Sequence, residues 1–196
     1  MRILKSRLAR DSEGMAIVEF AIVAPVFLIM LMGVFDVAHT LYTTSIVQGT
    51  MQKAGRDFTL ENAGGRTGEI DTFVRTRVQQ IAPSAEVTFE RKSYLDFGDI
   101  ARPEHWVDED NDGACNNNEL FDDANGNGQW DADRGAEGLG GARDAVLYTT
   151  TVIYPRLFPM AGLIGIDENV RLEASTVLRN QPFDQQDRAV ETGNCP

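Results

Sequence analysis

Histidine is scarce in this chain: 196 residues hold two, His39 and His105, far apart in sequence and without ligand-like company. There is no H-E-x-x-H, no G-x-S-x-G and no P-loop, so zinc-protease, nucleophile-elbow and phosphate-cradle chemistry have no residues to work with. Both histidines read as ordinary helix or loop residues, and an enzyme is not expected. Basic charge is also short, 18 Lys and Arg against 30 Asp and Glu, for a net charge of -12. Phosphate backbones are bound by clustered cations, so nucleic acid is excluded as a partner. Cysteine is limited to Cys115 and Cys195. In an oxidising compartment these two allow a single bridge, and sequence alone does not bring them together.

One long apolar run is present. From Met15 to Phe35, 21 residues hold a single ionisable side chain, Glu19. At about 1.5 Å per helical residue the run reaches roughly 32 Å, one bilayer core. Asp36 and His39 mark its end. A carboxylate in hydrocarbon needs neutralisation or a partner, and the run contains no Lys or Arg to supply one. It is too long for the apolar region of a secretory signal, and no A-x-A site follows Phe35. Ahead of it, Arg2, Lys5, Arg7 and Arg10 outnumber Asp11 and Glu13, so the positive-inside rule holds residues 1–14 in the cytoplasm and sends the rest across. Without those four basic and two acidic groups the net charge of -12 becomes -14. Residues 36–196 then form one acidic domain of ordinary size outside the cytoplasm.

The run opens on Gly14-Met15-Ala16-Ile17-Val18-Glu19-Phe20: a glycine, four residues, then Glu and an aromatic. This resembles the processing site of Flp-type and TadE/TadF-type prepilins. The resemblance implies that a prepilin peptidase cuts after Gly14, leaving residues 1–14 as leader and a new α-amino group at Met15. It implies that Glu19, fifth in the mature chain, registers the subunit by pairing with a neighbour's amino terminus. It implies other pilin subunits and the pilus assembly platform as partners. It also implies a bacterial inner-membrane location, single-pass with the amino terminus in the cytoplasm and the head outside, or extracellular within a pilus. The resemblance covers Gly14 to about Thr50, and more loosely Arg171 to Phe183. In the latter, Arg179-Asn180-Gln181-Pro182-Phe183 follows a terminal strand and Gln181 stands where the family usually has an acid.

Beyond the run, Val37, Leu41, Ile46, Val47, Met51, Ala54 and Phe58 recur at helical spacing, so the membrane helix is expected to continue to about Leu60. Gly49 and Gly55 oppose this by about 1 kcal/mol each, and Asn62-Ala63-Gly64-Gly65 stops it. A second helix is predicted from an N-cap at Thr67, with Ile70, Phe73, Val74, Val78 and Ile81 on one face and Pro83 ending it. Strands are predicted at Ala85 to Phe89, continuing toward Leu95, at Ala145 to Tyr154, and at Val170 to Leu178. Leu157 to Ile166 is an apolar, Gly/Pro-interrupted stretch too short to span a bilayer. It reads as a connection packed on the helix or as a surface patch for a partner subunit.

The insertion at 104–141 carries the second chemical signal. Asp108-Glu109-Asp110-Asn111-Asp112-Gly113-Ala114-Cys115-Asn116-Asn117-Asn118-Glu119 fits the loop pattern D-x-[DN]-x-[DN]-G-x5-E at every fixed position. Alternate carboxylates at Asp108, Asp110 and Asp112 suit one oxygen-loving cation. Gly113 permits the sharp turn, the Ala114 carbonyl adds a ligand, and Glu119 closes the shell. Pro103 and the Asn triplet argue against flanking helices. A second array repeats positions one, three, five and six at Asp123, Asn125, Asn127 and Gly128, and position nine at Asp131, with Asp133 beyond. Its position twelve is Arg134, so this array is incomplete. It resembles the Asn-Gly-Asn-Gly-x-Trp-Asp segments of extracellular calcium-binding repeats. Ca²⁺ is the expected cofactor, at an affinity on the order of 10⁻⁴ to 10⁻³ M. A solvated acidic insertion with no ion is the alternative. Trp106 and Trp130 flank the arrays and are expected to pack on the insertion.

The expected fold is α+β: a long N-terminal pilin-like helix, membrane-spanning over 15–35, packed on a small antiparallel sheet, with a calcium-binding loop insertion. The expected function is that of a structural minor pilin or pseudopilin in tight-adherence pilus assembly. The rival is an unprocessed, membrane-anchored calcium-dependent binding or adhesion protein.

Overall fold

The computed structural model describes residues 13–58, 63–158, 162, 165–180 and 189–196. Residues 1–12 of the expected leader, the helix stop at Asn62 and the Gln181-Pro182-Phe183 run lie outside the described residues, as does half of the 157–166 stretch. The elements are helix α1, Glu13–Phe58; helix α2, Thr67–Gln79; and strands β1, Glu86–Tyr94; β2, Leu120–Asp123; β3, Ala136–Glu137; β4, Ala145–Pro155; β5, Asn169–Arg179; and β6, Glu191–Asn194. The fold is α+β, a long apolar N-terminal helix with a small antiparallel sheet.

The chain forms two compact units. One takes in α1 up to Tyr42 together with residues 155–170; the other takes in Thr43–Tyr154 and Arg171–Pro196. In the first unit the apolar side chains of α1 are exposed along its length, from Met15 through Phe35. Pro25 sits inside this stretch, and the helix continues through it. Asp36 accepts a hydrogen bond from Arg156 Nη1 at 2.6 Å and from the Leu157 amide at 3.2 Å.

In the second unit the sheet has the order β3-β1-β4-β5. β1 and β4 pair antiparallel over nine residues, from Glu86 opposite Ile153 to Tyr94 opposite Ala145. Period-two alternation sets which face is buried. In β4, Val146, Tyr148, Thr150, Val152 and Tyr154 point inward, and in β5 Ala174 and Leu178 do. They meet Val47, Met51, Ala54 and Phe58, which are spaced at three, four and seven residues on one face of α1. Phe58 meets the Tyr148 ring edge-on at 4.9 Å, and Thr150 Oγ1 donates to Met51 Sδ at 2.9 Å. Gly55, which sequence reads as a helix weakener, faces Thr176 so closely that a Cβ would stand 3.0 Å from its Oγ1. Its lack of a side chain lets helix and sheet approach.

α2 adds Ile70, Val74 and Val78 to this core. Thr67 is its first helical residue and Arg66 holds the cap position, because a 3-10 turn at Ala63–Arg66 runs directly into the helix. Ile81 falls past the helix end, where Ile81 and Ala82 donate to the Val78 carbonyl at 3.0 and 2.9 Å. Asp71 fastens α2 to the sheet, accepting from Arg91 of β1 and, at 2.8 Å, from the Tyr148 hydroxyl. β2 and β6 form a separate two-stranded antiparallel sheet, with Leu120 opposite Asn194 and Asp123 opposite Glu191. A disulfide joins Cys115 to Cys195, Cα atoms 5.3 Å apart, and the Cys195 amide donates to the Glu119 carbonyl at 2.8 Å. The carboxyl-terminal residues are thereby stitched to the acidic insertion.

Candidate functional site

Two sets of residues carry chemistry. The first is on α1, where Gly14, Met15, Glu19 and Phe20 are all exposed. The Gly14-Met15 bond lies within the described helix Glu13–Phe58.

The second set is the pair of acidic loops. In the first, Asp108 accepts the amides of Asp112 at 3.1 Å and Gly113 at 3.0 Å. Asp110 accepts from Asp112 at 3.2 Å, and Asp112 accepts from Ala114 at 2.8 Å. Short Asp and Asn side chains favour such local bonds to their own backbone, and this tightens the chain into a ring. One oxygen from each of Asp108, Asp110 and Asp112 lies within 4.8 Å of the others. The Asn116 side-chain amide and then the Ala114 amide hold the Asp112 carboxyl below its ordinary range. The buried Glu119 closes the loop: its Oε1 accepts the Glu109 amide at 2.7 Å and its Oε2 the Asn116 amide at 3.3 Å. In the numbering of the twelve-residue motif these amides belong to positions two and nine.

The second loop repeats the first position by position. Asp123 accepts the amides of Gly126 at 2.7 Å, Asn127 at 3.1 Å and Gly128 at 2.8 Å. Asn125 accepts from Asn127 at 3.0 Å, and Asn127 from Gln129 at 2.7 Å. Backbone φ is positive at positions four and six in both loops: Asn111 at 62° and Gly113 at 78° in the first, Gly126 and Gly128 at 77° in the second. The left-handed region is open to Gly and tolerated by Asn, which is why these residue types recur. The Asn125 and Asn127 side-chain amides donate to Asp131 at 2.8 and 2.6 Å.

Position twelve of the second loop is Arg134, and the acid missing there comes from upstream. Glu104, 1% exposed, accepts the Ala124 amide at 2.8 Å and the Asn125 amide at 3.4 Å through Oε1, and the Asp131 amide at 3.0 Å through Oε2. Ala124 and Asp131 are positions two and nine, so Glu104 stands to the second loop as Glu119 stands to the first. Arg134 holds it in place indirectly, donating from Nε and Nη2 to the Pro103 carbonyl at 3.1 and 2.7 Å and pairing with Asp99 at 3.0 Å. Glu104 lies outside both twelve-residue windows, so the motif does not find it. The signal that points to it is the absent acid itself.

Asp133 lies apart from the second ring. It accepts from Lys92 at 2.8 Å and from the Tyr94 hydroxyl at 3.2 Å, tying the loop to β1. Burial pushes its carboxyl up, but Lys92, the Gly135 amide and Tyr94 together hold it below its ordinary value. Burial, then Asp133, raises Tyr94 to about 12. Trp106 and Trp130 pack on one another edge-on at 5.1 Å, and the Trp130 indole donates to the Glu104 carbonyl at 2.9 Å. β2 links the loops, running from beside Glu119 to Asp123 and pairing with β6.

These features define an α+β protein with, among the described residues, one apolar helix long enough to cross a membrane, and with two hydrogen-bonded acidic rings. Within it, residues 14–56, which lie in α1, match the family described as TadE-like protein. No curated protein and no solved structure matches the chain.

Proposed function

We propose that this chain is a structural minor pilin or pseudopilin of a tight-adherence pilus system, inserted through α1 with its amino end inward and cut after Gly14 by a prepilin peptidase. The observation that carries this reading is the TadE-like match, which begins at Gly14 and runs along α1 to residue 56. The exposed apolar side chains from Met15 to Phe35 support it, since such a face is stable only against lipid or other helices. Cleavage gives Met15 an ammonium group near Glu19, a cation of the kind an intramembrane carboxylate requires. The partners on this reading are the peptidase, other pilin subunits and the assembly platform, in the inner membrane.

Calcium belongs to the same proposal as the stabiliser of the head. The donor set fits a hard cation. Asp108, Asp110, Asp112, the Ala114 carbonyl and Glu119 would hold one ion, and Asp123, Asn125, Asn127 and Asp131 with Glu104 a second. Bound, the ion neutralises carboxylates that otherwise repel.

The deciding experiment is the amino-terminal sequence and intact mass of the protein recovered from its native membrane. A start at Met15, with accumulation of the longer form in Gly14→Ala, is expected. A Gly14→Ala chain of unchanged length that still assembles pili overturns the reading.

A further inference from the structure

The second ring contains the chain's two Asn-Gly dipeptides, Asn125-Gly126 and Asn127-Gly128. Both glycines have a φ of 77° and open space where a Cβ would stand, so the left-handed backbone of the ring, not crowding, requires them. Glycine after asparagine has a chemical consequence, because no side chain shields its amide from the carboxamide beside it. The Gly nitrogen, on giving its proton to water or hydroxide, attacks Cγ of the preceding Asn. An N–Cγ bond forms, the Cγ–Nδ2 bond breaks, and Nδ2 leaves as ammonia with a proton returned from the medium; the chain now holds a five-membered succinimide. Water opens the succinimide at one carbonyl or the other, giving aspartate or isoaspartate. The reaction needs no oxidant and no cofactor, and Gly126, Asn127 and Gly128 are exposed to the water it consumes.

In the folded ring every reacting group is already engaged. The Gly126 and Gly128 amides, the nucleophiles, donate to the Asp123 carboxylate at 2.7 and 2.8 Å, and an ionised acceptor keeps the proton on the nitrogen. The two carboxamide NH₂ groups, which must leave, donate to Asp131 at 2.8 and 2.6 Å. The carboxamide oxygens accept the Asn127 and Gln129 amides at 3.0 and 2.7 Å, which fixes the plane of each group. The first ring lacks this chemistry: its positions three and five are Asp110 and Asp112, and its carboxamide at position nine, Asn116, is followed by Asn117. The bond between positions five and nine is kept with its ends exchanged. Asn116 Nδ2 donates to Asp112 at 2.6 Å, where Asn127 Nδ2 donates to Asp131 at 2.6 Å. Each ring therefore sets one carboxamide against one carboxylate, and aspartate at 127 would set two carboxylates against each other.

We propose that Asn125 and Asn127 are deamidation sites held latent by Asp123, and that their conversion to aspartate or isoaspartate opens the second ring irreversibly. Asp123 is the lock because one carboxylate occupies both nucleophilic amides. The product cannot re-form the ring. Aspartate replaces a donor facing Asp131 with an acceptor of the same charge, and isoaspartate adds an atom to a main chain whose amides each have an assigned acceptor. The inference uses neither the membrane anchor nor a bound cation.

The test uses the full chain in detergent, with the disulfide intact and chelator present. Samples are held at neutral pH, folded or in urea, and peptide mass spectrometry follows the change from carboxamide to carboxyl at 125, at 127 and, as an internal reference, at Asn116. In urea, 125 and 127 are expected to react well ahead of 116. In the folded chain they should be slower than in urea by about tenfold or more, because reaction then waits on opening of the ring. Asp123→Asn removes the carboxylate and keeps its shape, and should bring the folded rate most of the way to the urea rate. Asp108→Asn, the same change in the first ring, should not. Equal rates at 125 and 127 in folded and urea-treated wild type overturn the proposal without recourse to any variant. A folded Asp123→Asn chain as slow as wild type overturns the assignment of the lock. Asn127→Asp reproduces one product, and its urea midpoint should lie below that of wild type; an unchanged midpoint would mean that conversion leaves the ring closed, and overturns its opening.

Discussion

Glu104 is buried among backbone amide donors. Its two oxygens accept three backbone amides from the second loop, and hydrogen bonds to a charged group contribute about 1.5–3 kcal/mol each. Glu104→Gln keeps the shape but turns an NH₂ toward an amide N–H, setting donor against donor in a site closed to water. The head is expected to lose about 2–3 kcal/mol, read as a lower urea midpoint at unchanged slope. Glu119→Gln should cost a similar amount, since Glu119 accepts the equivalent amides at positions two and nine. An exposed control, Glu109→Gln, should change little. If Glu104→Gln matches the control, the equivalence of the two glutamates is wrong.

At the scale of elements, the insertion is tied to the sheet where Asp133 meets Lys92 and Tyr94 of β1. Tyr94 has its ordinary value of 10.0 raised to about 12, so the stability it contributes is complete below pH 10 and is lost as pH rises through 12. Lys92, raised from 10.5 chiefly by its bond to Asp133, adds in the same direction. Asp133 is lowered from 3.8, so its share is present above that pH and disappears on acidification below it. Melting temperature should therefore fall between pH 10 and 12, and Tyr94→Phe should flatten that fall. Tyr148, also raised by burial, keeps part of it. An identical alkaline slope in Tyr94→Phe would remove Tyr94 from the account. The elements beside this contact were legible in sequence to different degrees. β1, β4 and β5 announce themselves by alternation over nine to eleven residues, and α1 and α2 by apolar spacing. β2 and β6 do not: each is four residues of mixed polarity, and they pair across some seventy positions of chain, a distance over which local pattern carries no information. The first acidic ring was readable because all the acids that accept its amides lie in one window. The second was half readable, since its closing acid, Glu104, arrives from outside the window, and the residue at position twelve, Arg134, instead holds the Pro103 carbonyl next to Glu104.

On the scale of the molecule, the chain beyond α1 solves a problem of charge. An acidic insertion with few apolar residues cannot drive its own folding by burial. Here three devices order it: backbone amides turned into its carboxylates, the pairing of β2 with β6, and the bridge from Cys115 to Cys195, which closes a separation of 80 residues. Cross-linking across such a distance stabilises by about 2–4 kcal/mol, largely by restricting the unfolded chain. Calcium, on the proposed reading, would add about 1.4 kcal/mol at a tenfold excess over the dissociation constant. Bridge and ion share the first loop, because Cys115 lies between Ala114 and Asn116, at position eight of the motif. They should therefore be coupled rather than additive. Scanning calorimetry of the full chain in detergent, with and without chelator, in wild type and in Cys115→Ser/Cys195→Ser, gives the four corners of a cycle. The expected outcome is a lower melting temperature without the bridge and a larger loss to chelator in the serine variant, because the bridge holds the loop in its ring when the ion is gone. A chelator effect absent from both proteins would eliminate calcium and leave amides, strand pairing and bridge as the whole of the ordering. Equal chelator losses with and without the bridge would mean that the ring keeps its shape through its own hydrogen bonds, and that the carboxyl-terminal strand is fastened to the insertion for the sake of the tail.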